Sequence, residues 1–272
     1  MNLIHAIILG VIQGLTEFLP ISSTAHLIII PWLLHWDTPG LMFDTSVHLG
    51  TLIAVLIYFK KDIWELIRGF FTTFTKKRDY KNQYQRLSWL IFIGIIPAGI
   101  CGVLFEDKVE TVLRSPYVIV FTLITLAIIL FIADRFGKKS REIEKLNLYD
   151  SLIIGFCQAI ALIPGVSRSG ITMTAGLFVN LSRTASARFS FLLGAPIIAA
   201  GGIFELKDIL KLTLTPDMIY YFILGFLSSG ISGYLCIKFL LRYLQNNSFN
   251  IFIFYRILLG IFILITSITL KM

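Results

Sequence analysis

Long stretches without charged residues recur along the chain and predict helices that cross a membrane. Residues 87–105, 115–133 and 218–237 contain no Lys, Arg, Asp or Glu. Each is long enough to cross a hydrocarbon core of about 30 Å, because an α-helix rises about 1.5 Å per residue. These lengths predict an all-α polytopic membrane protein with about six transmembrane helices. Shorter apolar runs supply the other crossings with their polar ends, at 45–59, 189–204 and 257–270.

The composition agrees with this class, and the placement of charge assigns a topology. The chain is 56% hydrophobic and 15% charged, with a mean hydropathy of +0.82, whereas soluble domains carry roughly 25% charged residues. Most lysines and arginines fall in connections, which are predicted to face the cytoplasm for that reason. The net charge of +8 therefore indicates membrane topology and not binding of nucleic acid. The basic connections are 60–86, 135–150, 182–188 and 238–249.

Two polar segments of the chain share one spacing. Ser22 follows Gln13 at the same interval at which Ser167 follows Gln158, and a proline precedes the serines in both segments. With the basic connections inside, both flanks of the first segment lie outside and both flanks of the second lie inside, so neither segment crosses the membrane. We expect two re-entrant helix hairpins, at 3–34 and 150–182.

The arrangement of spans predicts an internal repeat. Three spans follow each hairpin, and because three is odd, the two halves have opposite orientation in the membrane. We expect a single integral membrane domain, 1–272, built as an inverted-topology repeat of 1–135 and 148–272, with both termini outside. In such repeats the broken helices meet near the bilayer midplane.

The first hairpin carries a carboxylate among polar groups. Gln13 and Glu17 are spaced i, i+4 and share one helical face. Pro20 is expected to end this helix, and Glu17 points toward that break. Intramembrane charges are costly and usually functional. The break and the turn after it supply hydroxyls and an imidazole, from Ser22, Ser23, Thr24 and His26.

The second hairpin carries a cation among small residues. Arg168 lies in a short segment with Gly165, Ser167, Ser169 and Gly170, just before the start of a helix. Glycines let the backbone approach a ligand closely, and N–H groups at a helix start favour anions. An arginine there offers a bidentate fork to phosphate oxygens. The two hairpins together predict a site for a phosphate or a carboxylate.

Structural interpretations of the same residues stay open. Serines, threonines and glutamines in membrane helices often only form hydrogen bonds between helices, and Glu17 and Arg168 could be a structural ion pair between the halves. Three further polar residues are secondary candidates, namely Arg256, Asp44 and His48.

Both motifs resemble those of a known family. The segment 13–26, with Glu17, Ser22-Ser23-Thr24 and His26, and the segment 164–170, Pro-Gly-Val-Ser-Arg-Ser-Gly, resemble the bacterial undecaprenyl-diphosphate phosphatases, also called bacitracin-resistance proteins. The first motif begins with Gln13, where many members have Glu, as the family pattern allows. The resemblance implies hydrolysis of undecaprenyl diphosphate to undecaprenyl phosphate and phosphate, which recycles the lipid carrier of peptidoglycan synthesis and gives bacitracin resistance.

The chemistry and positions of the residues suggest their roles in this reaction. Ser23 is the preferred nucleophile, with Ser22 as the second candidate, and Glu17 is the base or the ligand of a Mg²⁺ or Ca²⁺ ion. His26 donates a proton to the leaving phosphate, and Arg168 stabilises the charge of the transition state. The implied location is the bacterial plasma membrane, with the site open to its outer face and a homo-oligomer left open. The remaining substrate-binding candidates are Gln13, Ser22, Thr24, Gly165, Ser167, Ser169 and Gly170.

A rival function belongs to another class of protein. Inverted repeats with broken helices are the usual architecture of secondary transporters. A site of Glu17, Arg168 and serines could bind an anionic lipid or a small anion and move it without cleaving it. Phosphate release from a lipid diphosphate separates the phosphatase from a transporter or flippase.

Overall fold

A computed structural model of the chain describes residues 2–37, 40–75, 82–112, 115–209 and 215–269. Within these ranges the regular structure is helical, apart from a single β-bridge between Arg141 and Leu181. The helices are α1 Leu3–Phe18, α2 Ser23–Leu33, α3 Gly40–Tyr58, α4 Lys60–Thr75, α5 Gln83–Val112, α6 Pro116–Phe136, α7 Leu148–Ile160, α8 Arg168–Phe178, α9 Arg183–Ile209, α10 Pro216–Tyr243 and α11 Asn250–Thr269.

The predicted class is confirmed. Among the described residues, 5 helices are long and apolar enough to cross a membrane, or up to 6 if α3 and α4 form one broken span. α1, α2 and α7 are shorter apolar helices. The protein is therefore an all-α, multi-pass membrane protein. The predicted runs 87–105, 189–204 and 218–237 lie within longer helices, namely α5, α9 and α10.

Helix α4 was not predicted. The charge pattern predicts a basic connection over 60–86, but the structure has a helix there, bent by 84° from α3. Hydropathy misses such a helix because its residues alternate between two faces. Leu66 is buried, Trp64 and Phe71 are 66% and 63% exposed, and the helix begins with charged residues.

The hairpin helices of the two halves begin at equivalent positions, since α1 and α7 start at Leu3 and Leu148 and α2 and α8 start at Ser23 and Arg168. Asn2 and Asn147 cap α1 and α7 through their side chains. Ser22 and Ser167, which precede α2 and α8, have positive φ angles of 73° and 68°. These left-handed residues fall at the same positions of the two predicted repeats. The opposite orientation of the halves in a membrane stays a prediction.

Each hairpin packs against the other half of the chain. α1 lies on α10, and a Cβ added to Gly14 would lie 2.5 Å from the carbonyl oxygen of Ser229. α7 lies on α5 in the same way, where Gly155 contacts the backbone of Gly94. Small residues permit such close approach of membrane helices. The halves therefore interlock, which brings the two breaks together.

Two buried carboxylates form ion pairs near the ends of helices. Asp134 is 4% exposed and accepts from Arg183 Nε at 2.6 Å and from the backbone N–H of Phe249 at 3.0 Å. In the connection before α7, Arg141 forms a bidentate pair with Asp150, at 3.0 and 2.6 Å. Hydrogen bonding to this carboxylate raises the pKa of Arg141 above its usual range.

Candidate active site

Two short segments interrupt the helical hairpins: 19–22 between α1 and α2, and 161–167 between α7 and α8. These two breaks are each followed by an equivalent helix start. Ser22 and Ser167 are the N-cap residues of α2 and α8, and their hydroxyl oxygens accept from the backbone N–H groups of Ala25 and Gly170. The first residues of the two helices are therefore Ser23 and Arg168. A helix start carries a partial positive charge that stabilises anions. Both starts can contribute to one anionic site if the breaks meet.

Glu17 joins the two breaks. Its Oε1 atom lies 2.8 Å from Arg168 Nη2, and its Oε2 atom accepts from Ser23 Oγ at 2.8 Å and from Gln13 Nε2 at 3.1 Å. His48 Nε2 lies 3.7 Å from Oε2, a distance suited to an ion pair when the imidazole is protonated. The carboxylate is only 7% exposed. Glu17, Ser23, Gln13 and Arg168 thus form one cluster, as the sequence predicts.

The guanidinium of Arg168 fits into a space left by a glycine. A Cβ added to Gly194 on α9 would overlap its Nη1 atom and would lie 3.1 Å from Nη2. Nη1 is buried and has no hydrogen-bond partner among the described residues. A buried donor without a partner costs free energy, and a phosphate oxygen is a suitable acceptor. Arg168 therefore pairs with Glu17 through Nη2, while Nη1 has no partner among the described residues.

Arg256 on α11 holds both breaks by their backbone. It is 1% exposed, and its guanidinium donates only to carbonyl oxygens among the described residues. Those oxygens include Pro20 in the first break, at 3.2 Å, and Gly165 and Val166 in the second, also at 3.2 Å. An arginine has five donors in a rigid fork, which suits several carbonyls at once. Arg256 is therefore a structural clamp between the two hairpins.

The other candidates of the second hairpin make contacts within the protein. Gly165 has φ +85° and lies against Thr122 of α6. Ser169 donates to the Leu19 carbonyl of the first hairpin at 3.1 Å, and Ser167 lies 3.4 Å from Ser169. A Cβ on Gly170 would lie 3.0 Å from Arg256.

Three candidates of the first hairpin lie apart from the carboxylate. Ser22 is 2% exposed, and Thr24 is exposed. His26 lies 2.7 Å through Nδ1 from the carbonyl oxygen of Ser22 and 2.6 Å through Nε2 from the hydroxyl of Tyr255. The structure therefore brings Ser23 but not Ser22 to Glu17, and both ring nitrogens of His26 have partners away from it.

The fit of a divalent cation depends on one carboxylate. Within the described ranges, no group of three His, Cys, Asp or Glu residues could hold a metal ion. Mg²⁺ is often bound by one or two carboxylates together with substrate phosphates. Glu17 fits that incomplete kind of site, because its Oε2 atom lies at the break beside Ser23. Metal binding by Glu17 stays a prediction.

Several residues that contact the cluster or support it lie outside the two segments that share a spacing. Arg256 and His48 carried a signal, since each is a polar residue within or beside an apolar run. Gly194 and Tyr255 carried none, because their importance arises only from contacts with residues that are distant in the chain.

Known proteins are similar to this chain over almost its whole length. The family model described as Bacitracin resistance protein BacA matches residues 6–262. A protein of Elusimicrobium minutum named undecaprenyl-diphosphatase is 50% identical, over 98% of this chain and 99% of its own length. Proteins of the same name from Moorella thermoacetica and Thermomicrobium roseum are 47% and 45% identical, over 96% and 97% of this chain and 96% and 98% of their own lengths.

Proposed function

The chain belongs to the bacitracin resistance protein BacA family, and we propose that it hydrolyses undecaprenyl diphosphate to undecaprenyl phosphate and inorganic phosphate. The observation that carries the proposal is the position of Glu17 between Ser23 and Arg168, each at 2.8 Å. This places a hydroxyl, a base and a cation within one buried cluster. The membrane-embedded location suits a substrate with a long isoprenoid chain.

Ser23 is the proposed nucleophile. A serine needs a base that takes its proton, and the Ser23 hydroxyl already donates to Glu17. Ser23 Oγ attacks the terminal phosphorus, the bond from phosphorus to the bridging oxygen breaks, and undecaprenyl phosphate leaves with the electron pair. Water then hydrolyses the phosphoserine, releases phosphate and restores the serine. Ser22 is less suited to this role because it is buried and caps α2.

Arg168 is proposed to bind the diphosphate and to release the base. In the structure its Nη2 atom neutralises Glu17, which makes the carboxylate a poor proton acceptor. A diphosphate carries more charge than one carboxylate and competes for the guanidinium. When Arg168 turns to the phosphate, Glu17 becomes available to take the Ser23 proton. Beside the phosphate, the guanidinium then stabilises the negative charge that develops in the transition state.

The remaining residue roles are part of the proposal. Gln13 orients Glu17 through the bond at 3.1 Å. His26 can serve as the proton donor to the leaving phosphate only when its ring is protonated and its Nε2 atom has exchanged Tyr255 for the substrate. Mg²⁺ or Ca²⁺ would be held by Glu17 and by phosphate oxygens, and it would add positive charge at the diphosphate. Thr24, Gly165, Ser167, Ser169 and Gly170 complete the predicted binding surface.

The proposed setting is the bacterial plasma membrane. The positions of the basic connections predict that both termini lie outside and that the two halves have opposite orientations in the membrane. The two hairpins would then enter the membrane from opposite faces. The resemblance to the phosphatases favours a site that opens to the outer face. Assembly of the chain into a homo-oligomer stays a prediction.

A transporter or flippase is the alternative. The interlocked halves and paired breaks would suit it, but the relatives from Elusimicrobium, Moorella and Thermomicrobium are named for a diphosphatase activity. The contact between Ser23 and Glu17 favours a reaction at phosphorus, because transport needs no activated hydroxyl.

The test is phosphate release by the purified protein in detergent from a long-chain isoprenyl diphosphate, with and without Mg²⁺ or Ca²⁺. We expect Glu17→Gln and Arg168→Ala to abolish release while the protein stays folded. Arg242→Ala, on the exposed end of α10, is the control for loss of an arginine. Wild-type protein that moves the lipid in vesicles but releases no phosphate under any of these conditions would overturn the proposed function.

A further inference from the structure

We propose that Tyr255 on α11 is a positioning residue for this hydrolysis, acting through His26 on the peptide that begins helix α2. The inference rests on the proposed function. Tyr255 and His26 lie in different halves of the chain, yet their rings stack at 5.6 Å with an interplanar angle of 7°. The Tyr255 hydroxyl lies 2.6 Å from His26 Nε2.

The partners of His26 determine which nitrogen carries the proton. Nδ1 lies 2.7 Å from the Ser22 carbonyl oxygen, and a carbonyl only accepts, so Nδ1 carries a hydrogen. In the neutral ring Nε2 is then an acceptor, and the Tyr255 hydroxyl donates to it. A phenol suits this position because it can also accept from Nε2–H when the ring is protonated.

The second hairpin shows what the imidazole adds. There the carbonyl of Ser167 accepts the ordinary helical bond from Ile171 N–H at 2.9 Å. In the first hairpin the equivalent bond, from His26 N–H to the Ser22 carbonyl, is 3.4 Å long. The His26 side chain approaches that carbonyl more closely, at 2.7 Å. The imidazole therefore replaces much of a backbone bond that is weak at this break.

This bond matters because of the backbone at Ser22. Its φ of 73° is rare for a residue other than glycine, and such conformations persist only where the surroundings hold them. The next residue is Ser23, whose hydroxyl must stay 2.8 Å from Glu17. Tyr255 holds His26, His26 holds the Ser22 carbonyl, and the peptide thereby sets the position of the nucleophile.

The fold gives Tyr255 no direct part in the cluster. It is 42% exposed, whereas His26 is 6% exposed, so the tyrosine closes the outer side of the imidazole. The adjacent Arg256 donates to the Pro20 carbonyl on the other side of Ser22. Two consecutive residues of α11 therefore hold the first break, one through the backbone and one through His26.

Tyr255→Phe tests the hydroxyl alone, because phenylalanine keeps the ring. We expect kcat to fall about 3- to 30-fold, which corresponds to the loss of one positioned hydrogen bond, and KM to stay unchanged. Tyr220→Phe, whose ring on α10 is 60% exposed, is the matched control and should have no effect. A rise in KM with unchanged kcat would contradict a positioning role.

A double-mutant cycle tests whether Tyr255 acts through His26. His26→Asn keeps an amide donor near the position of Nδ1 but cannot reach Tyr255. It also removes the proposed proton donor, so the residual kcat of this variant is the baseline of the cycle. In that background Tyr255→Phe should cause no further loss, since residues that act through one contact are not additive. Losses of kcat that multiply in the double variant would overturn the inference.

A spectroscopic measurement separates this inference from the proposed function. In ¹⁵N-histidine NMR of the wild-type protein, assigned by comparison with His26→Asn, we expect the Nδ1–H form of His26. Tyr255→Phe should shift the Nε2 signal, and Tyr220→Phe should not. A neutral Nε2–H form, or an Nε2 signal that ignores Tyr255→Phe, refutes the contact even if phosphate release is absent and even if a variant is too unstable for kinetics.

Discussion

Gly194→Ala should lower the rate of phosphate release and leave the thermal stability of the protein unchanged. The methyl group would overlap Arg168 Nη1, while ordinary contact begins at 3.4 Å. The end of the guanidinium must therefore move by more than the length of a covalent bond. Because the obstacle is the end of a flexible side chain, the helix can accept the methyl group, and alanine favours a helix interior by about 1 kcal/mol over glycine. We expect the thermal stability of the protein to be kept.

The displaced guanidinium can no longer hold Glu17 at 2.8 Å or present Nη1 to a phosphate. A misplacement of 1 Å can cost roughly 100-fold in rate, and a loss of that size in kcat/KM equals about 2.7 kcal/mol of transition-state stabilisation. The assay is steady-state phosphate release in detergent, paired with a thermal melt of the same sample.

The matched control is Gly201→Ala on the same helix. A Cβ there has open space, with nothing within 4 Å, so kcat/KM should stay at the wild-type value. Near-normal turnover of Gly194→Ala would refute the assignment of Arg168 to the reaction in this geometry. A collapse of the melting temperature would instead show that α9 cannot accept a side chain at this position.

Four further substitutions probe the cluster and the structure around it. Ser23→Ala should abolish phosphate release, whereas Ser22→Ala should retain turnover. Ser22→Ala should lower the free energy of unfolding by about 1 kcal/mol, because it removes the helix cap. If Ser22→Ala abolished phosphate release and Ser23→Ala retained it, the two roles would be exchanged. Arg256→Lys should lower the melting temperature in detergent, because three donors replace five and buried carbonyls each cost about 1–3 kcal/mol when unpaired; an unchanged melting temperature would contradict the clamp. Asp150→Asn should weaken the pair with Arg141 and destabilise the protein by about 1–3 kcal/mol without changing kcat, and a loss of kcat alone would refute a purely structural role.

The residues differ in how far the sequence could predict them. The spans were predictable because a hydrocarbon core imposes length and apolarity on each crossing helix. Helix α4 was not, because an amphipathic helix at the end of a span has neither property. Glu17 and Arg168 were predictable because a charge within an apolar membrane segment is costly and is rarely kept without a function. Gly194 and Tyr255 were not, because no local pattern records which distant helix a small or aromatic residue will face.

The two hairpins have similar backbones at their breaks but carry different functional side chains. Ser23 and Arg168 are both the first residue of the helix after a left-handed serine, so one backbone position carries the proposed nucleophile in one half and the cation in the other. Glu17 has its counterpart in Leu162, an apolar residue. A carboxylate at that position would compete with Glu17 for Arg168 and would repel a diphosphate. One active site from two similar hairpins therefore requires that they stay different, with the single carboxylate between a hydroxyl from its own half and a guanidinium from the other.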